Sequence, residues 1–162
     1  MPPGGQSGIL LHKKRAICMK VFSVPESQVK DFMQHLFNQD TFAKFQVRGI
    51  VVHSFTHFEI SGEKGEGDFC TWGELRPYVR NIIKGTEKPR IIKIIFALEA
   101  PEATHPNAAA LFINVLYDND KINCTTACSQ KSFELNRDVD IVWDNWVTDF
   151  FRQNSVPFVI EP

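Results

Sequence analysis

The stretch Asp138 to Gln153 offers the most apolar area on one element, with Val139, Val142, Trp143, Trp146, Val147, Phe150 and Phe151 recurring at helical spacing. Two of the three tryptophans fall on this face, so the other elements are expected to pack against this helix. Asn136 or Asp138 is placed to cap it, and Asn154 to end it. A second stripe, Val29, Phe32, Met33, Leu36 and Phe37, predicts a helix ending near Asn38. Ser23-Val24-Pro25-Glu26 precedes it in capping-box order, with Pro25 in the first turn, where its missing N–H costs nothing. The third stripe is Leu75, Tyr78, Val79, Ile82 and Ile83. It follows a second capping box, Thr71-Trp72-Gly73-Glu74, and stops at Gly85, with Lys84 in a last turn that suits the helix dipole.

The segments between the helices read as strands. Lys20 to Ser23 is a short strand, and Phe45 to Ile60 is β-rich but too long for one, so a reversal is expected near His53 to His57. Ser61 to Asp68 reads as an exposed Gly-rich acidic loop. Arg90 to Leu98 carries apolar bulk at successive positions and is expected to be central. Ala110 to Tyr117 and Ile122 to Ser129 form a predicted hairpin around Asp118-Asn119-Asp120-Lys121. Val156 to Ile160 is a final short strand. The order β-α-β-β-α-β-β-β-α-β predicts an α+β fold: a mostly antiparallel sheet of five to seven strands with three helices. Twice a capped helix is followed by antiparallel strands, an element order shared with sliding-clamp domains. Such a likeness of fold does not carry function.

Composition narrows the function classes. The 162 residues suit one domain, expected over residues 19–162 after an arm formed by residues 1–18. The arm is Pro/Gly-rich at its start, then basic at His12-Lys13-Lys14-Arg15, with only Ala16-Ile17-Cys18 as apolar sequel, too short for a signal peptide. Charge is balanced, 18 Lys+Arg against 19 Asp+Glu, which argues against a dedicated nucleic-acid binder. Cys18, Cys70, Cys124 and Cys128 do not make a disulfide scaffold at this length, and reduced thiols in a cytoplasm are the simplest reading. No apolar run approaches the ~20 residues of a membrane span.

The run Met19-Lys20-Val21, Val29-Lys30-Asp31-Phe32-Met33, Asp40-Thr41-Phe42 and the Thr-x-Phe-x-Ile-x-Gly ending at Gly62 resembles an uncharacterised family of clostridial Firmicutes, a domain of unknown function. Trp72-x-x-Leu75-Arg76-Pro77, Ile83-Lys84-Gly85 and Trp143-Asp144 extend the resemblance to about Phe158. It implies a bacterial cytoplasmic protein whose core starts at Met19, and it implies no activity.

No chemical motif is specific. His53-x-x-x-His57 is a metal pair only on a helix or across a hairpin turn, because four strand residues span about 13 Å while zinc holds nitrogens at about 2.0–2.1 Å. Cys124-x-x-x-Cys128 meets the same obstacle and reads as a pair of small buried thiols. Glu63, Glu66 and Asp68 lack the closing ligand of a calcium loop, and Gly62-x-x-Gly65-x-Gly67 is not a nucleotide fingerprint. No cofactor is called for. Trp72, Arg76 and Tyr78 at a helix N-terminus form a candidate anion or ring site, weighed against Trp72 packing in the core and Arg76 pairing with an acid such as Glu74. Lys84, Lys88 and Arg90 add a small basic edge. The first expectation is therefore a non-enzymatic module that binds a protein partner or its own copy. The second is a nucleic-acid-associated accessory protein with clamp-like architecture, using Lys13, Lys14, Arg15, Lys84, Lys88 and Arg90. The third is a thiol or metal enzyme using Cys124, Cys128 and a histidine.

Overall fold

The structure, a computed structural model, describes residues 20–85 and 87–162. The predicted arm and its Lys13, Lys14 and Arg15 lie outside the described residues. The strands are β1 (Val21–Val24), β2 (Gln46–His53), β3 (His57–Ser61), β4 (Glu63–Gly65), β5 (Asp68–Phe69), β6 (Ile91–Ala97), β7 (Ala108–Asp118), β8 (Lys121–Gln130) and β9 (Val159–Ile160). The α-helices are α1 (Val29–Phe37), α2 (Trp72–Ile83) and α3 (Asp138–Gln153). Seven strands form one sheet in the order β3-β2-β6-β7-β8-β1-β9, every neighbouring pair antiparallel. This is the α+β architecture and the element order expected. Short β4 and β5 pair separately within the stretch expected to be an exposed acidic loop, and Glu63, Glu66 and Asp68 are exposed there.

Local chemistry explains most boundaries. Thr71 and Glu74 form the reciprocal capping box of α2. The β7–β8 reversal is made by Asn119 and Asp120, both at positive φ (47° and 67°), as a two-residue hairpin turn requires. Ser23 is not a cap. Its hydroxyl lies in β1 and bonds Asn123 and Glu161, and a 3₁₀ turn over Glu26–Gln28 leads into α1 instead.

All three helices lie on one face of the sheet. Phe22, Val47, Ile94, Phe96, Leu111, Ile113 and Cys124 point to that face and are buried. An aromatic wedge binds the layers. Phe42, from the loop between α1 and β2, is fully buried and stacks on Phe96 of β6 (centroids 5.3 Å apart, planes 8° from parallel). It also meets Phe32 of α1, Phe45, and Phe150 and Phe151 of α3, at 5.9–6.3 Å. Trp143, Trp146 and Phe150 stack in sequence along α3. β6 is an interior strand, as expected, but only one of its faces is covered: Ile91, Lys93 and Ile95 point away from the helices.

A bulge in β2 shapes that other face. Val47 pairs with Phe96 and Gly49 with Ile95, so Arg48 is the extra residue. The bulge sets both Arg48 and Gly49 on the uncovered side and returns Ile50 and Val52 to the core. Without it every later side chain of β2 would change face. Gly62 permits the next step. A Cβ there would sit 1.7 Å from the Val47 carbonyl oxygen, so only glycine lets the β4–β5 hairpin cross β2 closely. That hairpin carries Phe69, whose ring lies 4.0 Å from the Arg48 guanidinium carbon.

Phe42→Ala is expected to cost about 3–5 kcal/mol, the range for deleting a buried aromatic. Gly62→Ala is expected to cost roughly 1–3 kcal/mol through backbone displacement. Urea unfolding midpoints check both, and wild-type stability in either variant would contradict the packing described.

Candidate functional site

The sheet separates the side chains that carry chemistry. Cys124 and Cys128 point beneath α3 and are buried, while His53 and His57 lie on the opposite face of the sheet, at its far end. Burial pushes the Cys124 thiol far up, away from a reactive thiolate. Cys128 donates its S–H to Asp140. His53 and His57 face each other across the β2–β3 turn, ring centroids 5.6 Å apart. The Arg90 Nη2 donates to His53 Nε2 (2.9 Å), and His57 Nε2 bonds Glu59 (2.9 Å). Among the described residues no group of three or more His, Cys, Asp or Glu side chains is arranged to hold a metal ion.

The N-terminus of α2 is already filled by the chain. The Trp72 and Gly73 N–H groups donate to the carbonyls of Phe45 and Ala43, and the Glu74 N–H to Thr71. Trp72 is fully buried, its indole N–H on the Leu36 carbonyl (2.6 Å) and its ring edge-on to Phe37 and Phe96. Arg76 ties α2 to the preceding loop, through the Gln39 carbonyl and Asp40 (3.1 Å) and not through Glu74. Tyr78 is exposed, as is Lys84 at the helix end. Lys88 and Tyr117 both donate to Asp120 and hold its carboxyl below the usual range. Lys88 and Arg90 are thus engaged by the β7–β8 turn and by His53, and they do not join Arg76.

The one buried carboxylate among the described residues is Asp144, on the sheet side of α3. It accepts from Thr126, which also takes the Lys20 N–H. Burial raises its pKa, against the pull of the Thr126 bond and the Lys20 charge. A carboxyl whose pKa is raised by folding contributes stability that is complete below its unfolded pKa and lost as pH rises through the folded one.

A larger feature was not singled out by any motif. The face of the sheet opposite the helices holds two adjoining depressions, of about 790 Å³ and about 480 Å³, which share Lys93 and Ile95. Cross-strand pairing builds it in rows. One row runs Gly49, Ile95, Asn114, Thr125, Val21, and the next Val51, Lys93, Leu116, Asn123, Ser23. Phe112 and Arg48 close one end of the larger depression. No carboxylate lines that depression. Neither Arg48 nor Lys93 forms an ion pair among the described residues. Arg48 is fixed by stacking on Phe69, and its Nε–H is buried without a hydrogen-bond partner. The alternation in β7 and β8 signals this face in the sequence (Asn114 and Leu116, Asn123 and Thr125), but the bulge that adds Arg48 and Gly49 leaves no such signal.

Fold and surface together define a two-layer α+β protein with its helices on one face of an antiparallel sheet and no described helix on the other, which Phe69 of the β4–β5 hairpin meets at Arg48. The chain belongs to DUF5721, a family of unknown function, whose family model matches residues 31–159. No curated protein and no solved structure matches the chain. No described helix is long and apolar enough to cross a membrane.

Asp144→Asn is expected to flatten the pH dependence of stability. Between about pH 4 and about pH 7 the wild type should lose more stability than the variant, because only the wild type must ionise a carboxyl in a buried setting. Denaturant midpoints across that range provide the check, and parallel curves would show that Asp144 ionises as freely in the fold as in the unfolded chain.

Proposed function

We propose that this protein is a non-enzymatic binding module that takes a segment of a protein partner on the uncovered face of its sheet. One observation carries the reading: among the described residues Arg48 and Lys93 form no ion pair, and they stand beside Ile95, Phe112 and Leu116 on a floor completed by Asn114, Asn123 and Thr125. A cation held beside exposed apolar groups is matched by a partner that brings carboxylates and apolar side chains together. The placement of the thiols supports binding over chemistry, since Cys124 and Cys128 are sealed on the other side of the sheet from His53 and His57.

The test uses peptides selected from a random library on the immobilised full chain, then rebound to Gly49→Val. A Cβ at position 49 meets only the Ile60 carbonyl oxygen, at 4.0 Å, and valine suits a strand, so the variant is expected to fold. It places bulk beside Ile95, where the two depressions adjoin. The selected peptides are expected to bind the variant at least about tenfold more weakly, a change of ~1.4 kcal/mol. Equal binding to both proteins would show that the sheet face is not the working surface.

A further inference from the structure

We infer that the segment seated on this face is an extended acidic–apolar peptide, lying across the strands with its carboxylates on Arg48 and Lys93. The inference rests on reading the sheet face as the binding surface, and it adds the chemistry and length of the occupant. The larger depression runs from Arg48 on β2 across β6, β7 and β8 to Val21 on β1. Five adjacent strands about 4.8 Å apart span about 19 Å, which about six extended residues cover at ~3.3 Å each. Such a peptide has polar backbone groups that need partners. Asn114, Asn123 and Thr125 supply amide and hydroxyl groups along the middle of the floor. Ile95, Leu116 and Phe112 receive its apolar side chains. Arg48 is already oriented by Phe69, so little side-chain freedom is lost when a carboxylate meets its fork.

Other occupants fit less well. A single-stranded nucleic acid presents a phosphate at every nucleotide and stacks its bases on successive aromatic rings. Phe112 is the one aromatic side chain among the described residues that line the larger depression, so successive bases would find no second ring to stack on. A second copy packed on the same face would set Arg48 and Lys93 against their own like charges wherever they lie close to the two-fold axis.

The test follows backbone amide shifts of the isotope-labelled full chain during titration with three probes. The first is a peptide of about eight residues alternating Glu with Leu, long enough to cover the depression. The second replaces its Glu with Lys, and the third is an oligothymidylate of similar length. The first probe alone is expected to shift residues 93, 95, 112, 114 and 125. Arg48→Gln should weaken it about tenfold, as loss of a charge-assisted hydrogen bond does, and Arg48→Lys should restore part of that loss. Equal shifts from the lysine peptide would overturn the charge complementarity. Stronger shifts from oligothymidylate would overturn the peptide as occupant and leave the binding surface standing. Face amides that shift with protein concentration alone would assign the face to a second copy and overturn the inference. No shift from any probe would overturn the acidic–apolar chemistry. Joined to selected peptides that ignore Gly49→Val, it would remove the binding surface as well.

Discussion

The packing of Phe42 between the sheet and the helices is the interaction on which the rest of the structure depends. Phe42 belongs to no regular element, yet it stacks on Phe96 and meets rings from α1, from its own loop and from α3. Few of these contacts are local in sequence, so their order is supplied by the sheet to which Phe96 belongs. The wedge gathers α1 and α3 to one side of the sheet, and Trp72 brings α2 to the same side against Phe96, which leaves the other side uncovered by the helices.

The two-residue period of the strands then distributes the chemistry. Along β8, Cys124, Thr126 and Cys128 go to the helix side, while Asn123 and Thr125 go to the open side. The same rule keeps His53 apart from both thiols. The bulge at Arg48 is the exception to the alternation. It delivers a cation to the open face in the middle of the chain's apolar sequence, and the Gly62 crossing delivers the ring on which that cation rests.

Local signals in the sequence were sufficient where the determining contacts are local. The span of α3, the Thr71–Glu74 box and the Asn119-Asp120 turn follow from periodicity, reciprocal capping and tolerance of positive φ, each decided within a few residues. Ser23 shows the limit. It has the spacing of a cap, but its hydroxyl is claimed by Asn123 and Glu161, 100 and 138 residues away respectively. Trp72 and Arg76 looked like a ligand site because a helix N-terminus has free donors. Those donors are met by the carbonyls of Ala43 and Phe45, which the strand pattern cannot place there. The apolar run from Arg90 to Leu98 suggested a central strand with bulk on both faces. Its outward isoleucines instead form part of the open face, which became visible only once the pairing register was known.

Binding on this sheet face requires its openness in the free protein. Solvent relaxation of methyl groups by a soluble paramagnetic chelate measures it directly on the full chain. The methyls of Val21, Ile95 and Leu116 are expected to relax strongly, and those of Val47, Ile94 and Leu111 weakly, because the two sets point to opposite sides of the same strands. Protection of the first set equal to that of the second would show the face covered in the free protein and would contradict the account.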